Sequence, residues 1–163
     1  MSHPTGRLLA TFLGLALPLA ASAEPPPMPE ASLALATTHD DAALAWGPCP
    51  DFLPSGCQIA VLHGDPAGHD ADIYFKVPAG AAIARHWHGS AERMVLVSGE
   101  LEVHYDGQPS ATLKTGMYAY GPARLPHSAQ CAPGADCVLF IAFSAPVDAI
   151  AGEPPQDPAD PPR

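Results

Sequence analysis

Residues 80–99 read GAAIARHWHGSAERMVLVSG. His86 and His88 stand two apart in a short apolar run, so on a β-strand both side chains point to one face. Gly89-Ser90-Ala91 follows, and Glu92 then opens a second apolar run. If that turn reverses the chain, Glu92 reaches the same interior as the two imidazoles. A third imidazole, His127, comes after the proline-bounded turn Pro122 to Pro126, about where a later strand would cross the first pair. Three imidazoles and one carboxylate converging inside a barrel suit a first-row divalent metal and leave coordination positions open. Burying these groups without partners would be costly, and a bound cation removes that cost.

Outward from this stretch the signal is β. Short runs rich in Val, Ile, Tyr and Phe recur between Gly, Pro and Asp punctuation. They are Ile59 to His63, Asp72 to Val77, Ala82 to His88, Glu92 to Val97, Leu101 to Tyr105, Ala111 to Lys114, Met117 to Tyr120, and Val138 to Phe143. Ser98-Gly99 and Asp106-Gly107 read as hairpin turns, since glycine takes the positive φ that tight turns need. About eight antiparallel strands at this spacing, with no helix-period stretch and no internal repeat, predict an all-β domain, a sandwich or a single jelly-roll barrel. Residues 31–46 are ambiguous between a short helix and a strand wrapping the core. Arg93 to Val97 is apolar at both parities, so its outer side needs cover, from the N-terminal extension or from a second subunit.

Single histidines are more often surface or satisfied core residues than ligands, and His3, His39, His63, His69 and His104 are read that way. His104 shares parity with Glu100 and Glu102, opposite Leu101, Val103 and Tyr105, so it faces water. Trp87, between the two paired histidines, points away from the metal. Tyr118 and Tyr120 share one strand face.

At these residues the chain closely resembles the cupin superfamily. The first cupin motif, G-x5-H-x-H-x3-E-x6-G, is matched at every fixed position by Gly80, His86, His88, Glu92 and Gly99. The second, G-x5-P-x-G-x2-H-x3-N, is matched by Gly116, Pro122 and His127, and departs at Arg124, where the family usually has Gly, and at Cys131, where it has Asn. The resemblance covers roughly Ile59 to Phe143. It implies a jelly-roll barrel and one divalent metal (Mn, Fe, Zn, Ni or Cu) held by His86, His88, Glu92 and His127. In that geometry Arg124 lies near the metal mouth, where a guanidinium would hold a substrate carboxylate bidentately. A solvated loop arginine is the equal alternative. Arg85 is expected to face outward.

The ends of the chain read differently. Arg7, the apolar run Leu8 to Ala20 and Ala21-Ser22-Ala23 form a signal-peptide pattern with cleavage after Ala23, and the run is too short to span a bilayer. The expected location is periplasmic or secreted, without a stable membrane anchor. Residues 24–45 form a Pro-rich or extended N-terminal segment, 46–150 the cupin domain, and 151–163 a Pro-rich tail with too little apolar content to repay ordering. Cleavage takes Arg7 with it and leaves six Lys and Arg against 17 Asp and Glu, which argues against nucleic acid and anionic membranes as partners. In an oxidising compartment the four cysteines pair most simply as Cys49–Cys57 and Cys131–Cys137. Their spacings do not fit a four-thiolate zinc site.

Fold does not fix function. The resemblance permits metal-dependent oxygenases, lyases and isomerases acting on a small organic molecule, and it equally permits a binding or sensing module that holds a metal and a small ligand without turnover. No separate general base or nucleophile stands out, so the catalytic residues are unassigned. Self-association as a homodimer is expected from the two-sided apolar strand and from the resemblance.

Overall fold

A computed structural model describes residues 34–155, so the signal-peptide pattern and the last part of the Pro-rich tail lie outside the described residues. Eleven strands, and no helix among the described residues, form two antiparallel sheets. They are β1 (Trp46–Pro48), β2 (Gln58–His63), β3 (Ala71–Val77), β4 (Ala82–Trp87), β5 (Glu92–Ser98), β6 (Glu100–Tyr105), β7 (Ala111–Lys114), β8 (Tyr118–Gly121), β9 (His127–Cys131), β10 (Cys137–Phe143) and β11 (Ile150–Ala151). One sheet has the order β1-β2-β3-β10-β5-β8 and the other β11-β4-β9-β6-β7. Most neighbours, among them β3 with β10, β5 with β8, β4 with β9 and β9 with β6, are distant in sequence, as a jelly roll requires.

The core lies between the inner faces. β6 shows the cause most plainly: Leu101, Val103 and Tyr105 are buried while Glu100, Glu102 and His104 are exposed, the alternation of a half-buried strand. Ile73, Val77, Leu96, Leu139, Ile141 and Phe143 of the facing sheet pack against them.

One expected hairpin is a corner instead. β5 and β6 belong to different sheets, and the chain passes between them at Gly99. Gly99 has φ +81°, and a Cβ there would lie 2.8 Å from the Asp136 carbonyl oxygen, so only glycine fits the turn. Asp106-Gly107 does sit in a hairpin loop, between the paired strands β6 and β7.

The described part of the ambiguous stretch, residues 34–45, is irregular chain leading into β1, which pairs with β2. Leu44 and Trp46 pack with Tyr74, Val97 and Phe140 in a second apolar cluster on the outer face, and Trp46 stacks on Tyr74 with ring centroids 6.4 Å apart. The N-terminal segment thereby supplies cover for Val97, one of the two sources anticipated. Tyr118 and Tyr120 point outward and stay exposed. The start of the Pro-rich tail is tied down: Ala151 pairs with His86, and Glu153 forms an ion pair with Arg85 at 2.8 Å.

Both expected disulfides are present, Cys49–Cys57 with Cα atoms 5.5 Å apart and Cys131–Cys137 at 5.9 Å. The first closes the loop between β1 and β2. The second joins the end of β9 to the start of β10, and so ties one sheet to the other. Replacing Cys131 and Cys137 together by serine is expected to lower stability by about 2–3 kcal/mol on loop-closure grounds. Urea unfolding of the oxidised protein and the double variant measures this, and equal midpoints would contradict it.

Candidate metal centre

His86 and His127 face each other across a β-bulge. In the β4–β9 pair Ile83 lies opposite Ala129 and His86 opposite His127, so one residue more is used on β4 than on β9. Simple alternation would put Ile83 and His86 on opposite faces. The extra residue rephases the strand, and both become buried in the interior. His88 follows just past the end of β4, Glu92 begins β5 in the other sheet, and Tyr105 ends β6 directly opposite His127.

The imidazoles cluster tightly. One ring nitrogen from each of His86, His88 and His127 lies within 4.8 Å of the others. Glu92 completes the group, with Oε1 3.3 Å from His88 Nε2 and Oε2 3.6 Å from His127 Nε2. All four side chains are buried.

The outer ring nitrogens explain the orientation. His86 Nδ1 lies 2.7 Å from the Ala84 carbonyl oxygen, His127 Nδ1 lies 3.2 Å from that of Leu125, and His88 Nδ1 contacts that of Asp148. A carbonyl oxygen only accepts, so each Nδ1 must carry the proton. Each neutral ring then presents an unprotonated Nε2 to the interior, the tautomer a metal ligand needs. His88 Nε2 and Glu92 Oε2 are buried without a hydrogen-bond partner among the described residues. Such atoms are expensive to leave unmet, and the donor set fits a divalent transition metal.

Burial sets the protonation states of the metal-free site. It lowers the pKa of all three histidines, that of His88 to about 4 and that of His127 to about 3. Burial also raises Glu92 to about 8, helped by the nearby Asp148 charge. The metal-free cluster is therefore three neutral imidazoles and a protonated carboxylic acid near neutral pH.

Two residues at this site carried no distinctive sequence signal. Asp148 lies in the segment between β10 and β11. Its carboxylate accepts from the Gly89 backbone N–H at 2.9 and 3.0 Å while its carbonyl orients His88. Tyr105 stacks against the His127 ring with centroids 4.8 Å apart, and its buried hydroxyl has no hydrogen-bond partner among the described residues. Alternation places Tyr105 inward, but only the register with β9 places it at the site. Gly121 makes this approach feasible, since a Cβ there would lie 2.6 Å from the Tyr105 hydroxyl and 3.0 Å from Glu92 Oε2.

Arg124 is not brought to the cavity. Its φ is +62°, the left-handed conformation that glycine at this motif position takes at little cost. Its backbone N–H donates to the His88 carbonyl at 2.8 Å. The guanidinium lies over the outward face of Trp87, 5.7 Å from the ring centroid, and donates to the Pro155 carbonyl. Arg85 also turns outward, to Asp106 and Glu153.

Below the cluster lies a cavity of about 150 Å³. Ile73, Phe75, Leu101, Val103, Ile141 and Phe143 form much of its wall, with the three histidines, Glu92, Tyr105 and Asp148 also lining it.

Comparison with known proteins agrees with this architecture. The family described as the ChrR cupin-like domain matches residues 35–146. The chain belongs to that family. Among solved structures, this cupin is similar to the DMSP lyase DddQ from Ruegeria pomeroyi (20% identity, 69% of this chain and 64% of that one, TM-score 0.57). It is also similar to an RmlC-like cupin from Shewanella frigidimarina (20% identity, 68% and 93%, TM-score 0.53). A third is the polyketide cyclase RemF from Streptomyces resistomycificus (14% identity, 76% and 90%, TM-score 0.60). At these identities the likeness is one of fold. The chain spans slightly less than two thirds of the length of the DddQ chain. No curated protein matches the sequence.

Proposed function

We propose that this cupin is an exported, metal-dependent enzyme acting on a small organic molecule, with His86, His88, Glu92 and His127 holding one divalent transition metal. The observation that carries the reading is the three imidazoles whose Nδ1 atoms are all committed to backbone carbonyls, so that three Nε2 atoms converge beside a buried carboxylate. A divalent ion held there would polarise an oxygen ligand or acidify a bound water. The chain's own contribution is to fix the imidazole tautomers, supply the carboxylate and enclose the ligand in an apolar wall. The two disulfides support export, because such bonds persist in oxidising compartments.

One observation favours a binding module instead. The cavity-lining residues include no Ser, Cys or Lys, so proton transfer falls to Glu92, Asp148, Tyr105 and the imidazoles. Elemental analysis of the protein from its native compartment, followed by substrate screening with and without chelator, separates the two. The enzyme reading expects close to one metal per chain and a turnover that chelation abolishes and metal restores. A metal-dependent thermal shift with a ligand that is never converted would establish the binding module.

A further inference from the structure

The cavity has a composition of its own, apart from the metal-ligating cluster. Hydrocarbon side chains make up most of its wall, and no Lys or Arg lines it. Besides the imidazoles and Tyr105, the ionisable groups on the wall are Glu92 and Asp148, both carboxyl groups. The cations in neighbouring sequence lie elsewhere: Arg93 is exposed on β5, Arg85 pairs with Asp106 and Glu153, and Arg124 contacts Trp87 and Pro155. An anionic group on a ligand would find no side-chain cation, only the proposed metal at the ligand cluster, and anywhere else along the apolar wall it would lose its hydration uncompensated. An uncharged hydrocarbon body would lose nothing comparable. At about 150 Å³ the space matches apolar protein cavities that take up benzene.

The polar groups of the wall gather at one end. Tyr105 brings an unpartnered hydroxyl there, beside His127 and across Gly121 from Glu92. A hydroxyl in that position can donate to an oxygen lying among the imidazoles.

From this arrangement we propose that the site takes an uncharged, compact, mainly hydrocarbon molecule of about benzene size bearing one oxygen function. The oxygen lies among His86, His88, Glu92 and His127 and accepts a hydrogen bond from Tyr105, while the hydrocarbon body fills the cavity. This ligand class replaces the carboxylated molecule that Arg124 would have held. It rests on the metal reading only for the part of the affinity that the oxygen contributes, and the hydrocarbon part stands without it.

Titration calorimetry with benzene, phenol and succinate, on protein carrying its co-purified metal and on protein stripped with EDTA, tests both parts. Benzene is expected to bind both forms equally. Phenol is expected to bind the metal-loaded form at least tenfold more tightly than the stripped form, and succinate at least tenfold more weakly than phenol. Tyr105→Phe should weaken phenol about three- to tenfold, the worth of one hydrogen bond, and leave benzene unchanged. The substitution is isosteric and removes an unpartnered hydroxyl, so thermal unfolding of the stripped variant should show no loss of stability. Succinate binding more tightly than phenol, or benzene failing to bind either form, overturns the ligand class and leaves the metal reading intact. Benzene and phenol binding equally well with and without metal supports the hydrocarbon class and overturns metal contact with the oxygen. An unchanged phenol affinity in Tyr105→Phe overturns the contact given to that residue.

Discussion

His88→Ala is expected to emerge from purification with little of the metal proposed for the parent protein. The substitution removes one converging nitrogen. It also cuts the link through His88 Nδ1 to Asp148, whose carboxylate holds the Gly89 turn that leads to Glu92. Loss of a group that merely orients a ligand lowers metal affinity about 10–100-fold, so loss of a ligand should exceed the upper figure. His127→Ala should behave alike, because His127 Nε2 converges on the same carboxylate, 3.6 Å from Glu92 Oε2. His104→Ala is the control, since its ring is exposed on the opposite face of β6. Elemental analysis after dialysis against a known free metal concentration gives the occupancies. Parent-like occupancy in a His86→Ala, His127→Ala double variant would sink the assignment. A bound metal also stabilises the native state, by about 4 kcal/mol at a thousandfold excess over Kd, so added metal should raise the thermal transition of the chelated parent protein and leave that of His88→Ala unmoved.

How much of this site could be read from sequence follows from where each cause resides. The spacing of His86, His88 and Glu92 is local, and strand periodicity makes it a statement about geometry. The bulge that lets Ile83 and His86 share the interior is not local. It belongs to the pairing of β4 with β9, and the letters between Ala82 and Trp87 carry no sign of it. β9 itself reads His-Ser-Ala-Gln-Cys, a polar stretch with no strand signal, and is extended because β4 and β6 flank it. Asp148 meets His88 across 60 residues, a contact that pairing of β11 with β4 creates. Of the two readings of Arg124, the substrate anchor gains no support from the backbone conformation. Sequence showed the departure from glycine, but the positive φ and the Trp87 face that received the guanidinium are tertiary facts. Gly99 is the mirror case: its need for positive φ was legible, but whether the chain then made a hairpin or crossed to the other sheet depended on what β6 pairs with.

The stability of the metal-free protein is expected to peak near pH 6.5 and to fall on both sides, for reasons that lie in the same four residues. Stability rises with pH wherever the unfolded chain binds more protons than the folded one, by about 1.4 kcal/mol per pH unit for each proton. Unfolded histidines titrate near 6.5, whereas burial holds folded His88 at about 4 and His127 at about 3. Below pH 6.5 the unfolded state therefore gains two protons that the folded state refuses, and His86, also lowered by burial, acts in the same direction. Glu92 works in the opposite direction. It is raised from 4.5 to about 8, so the folded state holds one proton that the unfolded chain has lost above 4.5. The net excess in the unfolded state is at least one proton, and stability should drop by at least about 1.4 kcal/mol per unit as pH falls from 6.5 towards 4.5. Between 6.5 and 8 only the Glu92 difference remains, and stability should drop by about 1.4 kcal/mol per unit as pH rises. Binding a metal through the Glu92 carboxylate requires that proton to leave, so apparent metal affinity should rise about tenfold per pH unit up to about 8 and then level off. Urea unfolding of EDTA-treated protein from pH 4.5 to 8.5 maps the peak, and Glu92→Gln should flatten its alkaline limb and steepen the acid one by about 1.4 kcal/mol per unit, because the opposing proton is gone. An alkaline limb that persists in Glu92→Gln would mean that another group carries the proton.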